Sequence, residues 1–120
     1  MIFLALAMMV QSAAEPSAVP DCENATTQAA MNACSYAEYQ AADAALNAQW
    51  KIARDVAKSR DLFGELLRAQ RRWLAFRDAH CEAVAARYAG GSIRPLIHNG
   101  CLTELTETRN AQLREMSETN

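Results

Sequence analysis

Between residues 25 and 89 the chain has no proline and a single glycine, Gly64. β-Branched residues are sparse there, alanine is abundant, and no strand-like alternation occurs. These absences exclude a turn-dense β fold and favour helix on propensity alone. Residues 2–10 are all apolar, but a helix needs roughly 20 such residues to cross a bilayer. Residues 15–50 hold five acids and no base, whereas residues 51–95 hold ten bases and five acids. The bases are interleaved with acids, which speaks against a nucleic-acid surface. There is no nucleophile elbow, no glycine-rich phosphate loop and no metalloprotease motif. The common hydrolase and nucleotide-binding chemistries are therefore without a foundation.

What is present begins with "MIFLALAMMVQSAA". Its apolar run ends in Ser12-Ala13-Ala14, small residues of the kind a signal peptidase cuts after. One element is missing, since no Lys or Arg precedes the run. Residues 1–14 are read as a cleaved signal peptide. Residues 15–21, with "EPSAVP", are read as a flexible mature N-terminus. Any membrane association is then through the export signal alone.

An exported chain of this size buries a modest core, so covalent staples help. Four cysteines are available: Cys22, Cys34, Cys81 and Cys101. An even count in an exported chain points to two disulfides, with three possible connectivities.

Periodicity divides the chain into helices. Met31, Cys34, Tyr39, Ala42, Leu46, Ala53 and Val56 recur at the spacings of a buried stripe. They predict a first helix over about 26–58, with Asn24, Thr26 and Thr27 as candidate caps. "KSRD" breaks it, and Asp61 can cap a second helix over about 62–88. There Leu67, Leu74, Cys81 and Tyr88 fall seven apart, a heptad seam with Gln70 and Arg77 as polar intruders. Trp73, Phe76 and Leu66 widen this face, and Trp50 joins the expected core. "AGG" (89–91) ends the helix, with Gly90 or Gly91 as a left-handed cap. Ser92 can cap a third helix with Pro95 in its first turn. Ile93, Leu96, Ile97, Cys101, Leu105, Leu113 and Met116 line it, and Gly100 is a place for a kink or split. The predicted fold is all-α: a small antiparallel bundle of about three helices stapled by two disulfides. The middle helix is expected to be the one the other two pack against.

Helical rise, about 1.5 Å per residue, chooses a pairing. Cys81 and Cys101 lie almost equally far from the turn at Gly90-Gly91, so they sit at nearly the same height. This favours Cys81–Cys101 and leaves Cys22–Cys34. The alternative is Cys34–Cys81 with Cys22–Cys101, because all four gather at one end of the bundle.

"AQRRWLAFRDAHC" (69–81) looks at first like a chemical site. A zinc set of His80, Cys81, His98 and Cys101 is conceivable. However, His80 and Cys81 point about 100° apart on a helix, and exported thiols oxidise. Asp78, His80 and Cys81 fail as a catalytic group for the same reason: neighbours on one helix do not converge. No catalytic residue, metal or cofactor is assigned. Arg77 lies on the inward stripe and needs partners if buried. Asp43, Glu38 and Asn47 on the first helix are the candidates, with Arg77, Asp43 and Asn47 forming a structural polar tie.

Four fragments carry a resemblance when taken in order: "DCENATTQAAMNAC", "ADAALN", "AQRRWLAFRDAHC" and "YAGGSIRPLIHNGCLTELTETR". They resemble the landmarks of the LprI-like domain of small bacterial exported proteins, over about residues 21–114. Residues 22–117 are accordingly read as an LprI-like helical domain. The family takes its name from a mycobacterial lipoprotein described as a lysozyme inhibitor. The resemblance implies a helical, disulfide-stabilised periplasmic or surface protein with a lysozyme as partner. One departure is "AVPD" before Cys22, which lacks the small residue of a lipid-attachment signal. The family supplies no inhibitory motif to carry over. From the residues themselves, Ser92, Arg94 and His98 in the loop after the second helix are the candidate partner contacts. They can meet the carboxylates of a lysozyme cleft, and an acidic face at 15–50 can steer a basic target. Two other readings are a generic envelope interaction or chaperone-like module, marked by an apolar patch near Trp73 or Tyr39, and an undetected enzyme with a deep ionisable pocket.

Overall fold

The computed structural model describes residues 21–118. The expected leader and the mature N-terminus up to residue 20 lie outside the described residues. Three helices follow in order: α1 (Gln28–Ser59), α2 (Phe63–Ala86) and α3 (Arg94–Glu118). The described residues carry no strand.

Each boundary has a local cause. Thr27 caps α1, its hydroxyl accepting from the Ala30 N–H at 3.1 Å. At the other end the Leu62 N–H donates to the Ala57 carbonyl at 2.8 Å and the Asp61 N–H to Lys58 at 3.3 Å. This is a Schellman closure. Its left-handed position is filled by Asp61 at φ 57° where glycine is usual. Asp61 is thus consumed in ending α1 and does not cap α2. Leu62 stands at that cap and offers no side-chain bond. A left-handed L-residue is strained by about 1 kcal/mol or more, while glycine gives back part of that gain through unfolded-chain entropy. Asp61→Gly should therefore stabilise the protein by about 0.5 kcal/mol, or about 3 °C in Tm. Thermal circular dichroism checks this, and a lower Tm would show that the Asp61 carboxylate has another task.

The second turn runs through Tyr88–Gly91, where the Gly91 N–H donates to the Tyr88 carbonyl at 2.9 Å. Gly90 takes φ +80°, as the third position of a type II turn demands. Ser92, expected to cap α3, lies two residues before its first residue. Its backbone carbonyl is the engaged group, accepting from Asn32 Nδ2 at 2.9 Å. Pro95 is in the first turn of α3. Gly100 does not split α3, which runs as one element.

The topology is up-down-up. Asn32 and Ser35 on α1 meet Asn99 on α3, and further along Gln49 meets Ser117. So α1 and α3 run parallel, with α2 antiparallel to both. Both α1 and α2 pack chiefly on α3, and they touch each other least. This corrects the expectation that α2 is the central helix. Leu46, Ala53 and Ala57 of α1, Leu66 of α2 and Leu113 of α3 form the apolar core, with Trp50, Phe63 and Trp73 against it. That core fills the end of the bundle away from the cysteines.

The buried face of α2 is Leu66, Gln70, Arg77, Cys81 and Ala85, with Trp73 half-buried. The predicted seam through Leu67, Leu74 and Tyr88 is rotated from it. Leu74 is 36% exposed and Phe76 is 55% exposed, so Phe76 is not core. On α3, Leu102 is buried and Met116 is exposed, the reverse of the pattern read from the sequence.

Candidate functional site

The middle of the bundle is held by charge. Arg77 projects from α2 between the other helices. Its Nη1 lies 3.4 Å from Asp43 Oδ1 of α1 and 3.3 Å from Thr106 Oγ1 of α3. Its Nε donates to Asp78 Oδ1 at 3.0 Å. One guanidinium thus joins all three helices. Asn47, the other candidate partner on α1, faces solvent one turn further on, and Thr106 takes the place expected for it. Glu38 is also exposed and is not among the hydrogen-bond or ion-pair partners of Arg77.

Aromatic rings line this charge. The Arg77 guanidinium is 5.5 Å from the Tyr39 ring centroid and 5.2 Å from that of Trp73. Arg109 of α3 approaches Trp73 at 5.9 Å and donates through Nε to Gln70 Oε1 at 2.9 Å. Such contacts strengthen as water is excluded. Burial makes Tyr39 hold its phenol proton more tightly than usual. The Arg77 charge opposes that shift, and the Asp43 and Asp78 carboxylates reinforce it. Burial also lowers the proton affinity of Arg109. Sequence reasoning missed Thr106 and Arg109. α3 packs against two helices at once, so its buried residues form no single apolar stripe. Gln70 and Arg77 were visible as polar intruders in the seam, and both are buried.

Of the candidate partner contacts only Ser92 lies in the turn between α2 and α3; Arg94 is the first residue of α3 and His98 is one turn further on, so neither is in the loop expected from the sequence. Arg94 Nη2 is 2.9 Å from Glu82 Oε2, and His98 Nε2 is 3.2 Å from Glu82 Oε1. One α2 carboxylate therefore holds both side chains of α3. Ser92 is exposed beside them, tethered to α1 through its carbonyl.

Directly below lies the Cys81–Cys101 disulfide, with Cα atoms 5.5 Å apart. Cys22–Cys34 ties the N-terminal arm to α1, with Cα atoms 5.6 Å apart. The sulfurs of the conceived zinc set are therefore bonded covalently. Its histidines are elsewhere engaged: His80 stacks on Phe76 at 5.2 Å, and His98 faces Glu82. Asp78 is paired with Arg77, away from His80 as a catalytic partner.

A family model described as lysozyme inhibitor LprI matches residues 21–113. The chain belongs to the LprI family. The match takes in all four cysteines, Arg77 and the whole α2–α3 turn, and stops at the last core residue, Leu113. An uncharacterised protein of Rhizobium meliloti (strain 1021) is 35% identical, over 82% of this chain and 80% of its own length. No solved structure matches. The LprI family is named for inhibitors of lysozyme and not for an enzyme activity. The two disulfides and the LprI membership fit an oxidising, extracytoplasmic compartment. Among the described residues, no helix is long and apolar enough to cross a membrane.

Proposed function

We propose that this protein is a lysozyme inhibitor, exported to the periplasm or beyond by a signal peptide, residues 1–14, that is then cleaved, and acting by protein–protein binding. The observation that carries this reading is the family match across residues 21–113. Two closed disulfides fit an oxidising compartment. The contact surface is the α2–α3 turn with Ser92, Arg94 and His98. Glu82 holds the last two in place, which lowers the ordering cost of presenting them. Their donors already grip one carboxylate, so they suit a target that presents another.

Inhibition of an animal-type lysozyme by the mature, oxidised protein is the test. Arg94→Ala and His98→Ala should each weaken inhibition about tenfold, as anchor residues do. Unchanged inhibition by both variants removes the turn from the contact surface. No binding by the wild-type protein removes the inhibitor reading itself.

A second reading, a generic envelope interaction module, is favoured by one observation. Exposed Phe76, stacked on His80, borders a groove between α2 and α3 with Val84, Leu96, Ile97 and Leu105 along it. Loss of envelope binding in Phe76→Ser, with lysozyme inhibition intact, would assign that surface to a different partner.

A further inference from the structure

A second groove runs between α1 and α3, on the side where no α2 residue lines it, with a volume of about 450 Å³. Its α1 wall is built on Ala41, Ala42 and Ala45, whose small side chains leave room for a long aliphatic stem. Glu38 and Glu107 also line it. Both are exposed, and among the described residues neither has a hydrogen bond or an ion pair. On the α3 wall, Thr103 Oγ1 and Asn110 Oδ1 are shielded from solvent and have no hydrogen-bond partner. Folded proteins leave few polar atoms in that condition.

The Glu38 and Glu107 carboxylates and the Thr103 and Asn110 side-chain oxygens can all accept hydrogen bonds, and no cation lines the groove. The parallel course of α1 and α3 sets Glu38 near the level of Thr103, and Ala45 near that of Asn110. The groove is thus about two helical turns long, or about 10 Å. A guanidinium brings five donors and a positive charge at the end of a three-carbon stem. An ammonium brings three donors on a longer stem. The terminal torsion of an asparagine is soft, so Asn110 Oδ1 can turn toward such a head group.

We propose that the α1–α3 groove is a socket for an arginine or lysine side chain of a basic protein partner. Under the inhibitor reading, on which the identity of the partner rests, that protein is a basic lysozyme. The socket adds a second contact to the α2–α3 turn. The turn region offers the Arg94 guanidinium to the target's carboxylates, and the groove offers carboxylates to the target's cations. Complementary charge of this kind fixes orientation and speeds encounter.

The test uses the oxidised protein and two probes, a basic animal-type lysozyme and N-acetyl-arginine amide. Glu38→Gln/Glu107→Gln should weaken lysozyme binding about twentyfold at low salt, in the range for desolvated charge pairs. Glu65→Gln/Glu118→Gln changes net charge equally and should change binding less than about twofold, as screened surface charges do. N-acetyl-arginine amide should shift the Asn110 side-chain amide resonance in the wild type and not in Glu38→Gln/Glu107→Gln. Equal loss in both charge variants would reduce the effect to net charge and overturn the socket. Unchanged lysozyme binding in both, without a shift at Asn110, overturns the socket and leaves the inhibitor reading standing. Arginine binding at Asn110 without any lysozyme binding upholds the socket and overturns the inhibitor reading. Neither probe binding overturns both.

Discussion

Cys81→Ala/Cys101→Ala should lower stability by about 3 kcal/mol, the chain-entropy value for a closed loop of this length. The two cysteines are separated by 20 positions. In Tm the loss is about 15 °C for a domain of this size. The bond is also placed where it matters in the folded state. α2 has little contact with α1 and reaches the rest of the bundle mainly through α3. The apolar core lies toward the other end, so at this end the disulfide is the principal tie between α2 and α3. The segment closed by this bond contains Ser92 in the turn and Arg94 and His98 at the start of α3. Its loosening should weaken inhibition as well as stability.

The matching variant Cys22→Ala/Cys34→Ala should cost less, about 1 kcal/mol, despite a similar nominal loop term. Cys22 is exposed and precedes α1, so its release lets a short arm fray and regain entropy in the folded state. Thermal melts of the two double variants under oxidising conditions give the comparison. An equal loss from both would mean that the N-terminal arm is packed more firmly than its exposure indicates.

The parts of this fold that could be read in advance were those governed by spacing. Alanine-rich runs without proline gave α1 to within two residues at each end. The height of Cys81 and Cys101 about the Gly90 turn selected their pairing. The parts that could not be read were those where a polar or small residue does the packing. A heptad reading gives weight to Leu67, Leu74 and Tyr88 because they are large and apolar. The face that is buried contains Gln70, Arg77 and Ala85. A side chain such as arginine is buried only when partners on other helices accept its charge, and those partners are not neighbours in sequence. Thr106 shows this most clearly. It is 0% exposed although it opens the polar run Thr106–Asn110, and its own side chain does not mark it as interior. The Ser92, Arg94 and His98 assignment rests on a local signal, the turn itself. Glu82, which holds two of the three, could be found only from the structure.

Arg77→Ala should lower stability by about 3 kcal/mol, near the lower end of the range for breaking a buried pair. Several losses combine. Thr106 Oγ1 is left buried without its donor, at about 1 kcal/mol or more. Contacts with the Tyr39 and Trp73 rings, at 5.5 and 5.2 Å, are lost, for about 0.5–1 kcal/mol each. The long stem leaves a gap between three helices, which carries its own cost. The ion pairs themselves count for less, because the Asp43 and Asp78 side chains are 36% and 64% exposed. Arg77→Lys should not restore the loss, since a point charge cannot serve two helices and two rings with one planar fork. Arg77→Met/Thr106→Val separates charge from packing. Replacing a buried polar group and its partner with apolar groups of similar shape is close to neutral. The double variant should therefore fall within about 1 kcal/mol of the wild type in urea unfolding. If it does, Arg77 sets which faces of the three helices meet and adds little net stability. A double variant as unstable as Arg77→Ala would instead make the guanidinium itself the main bond of the bundle's middle layer.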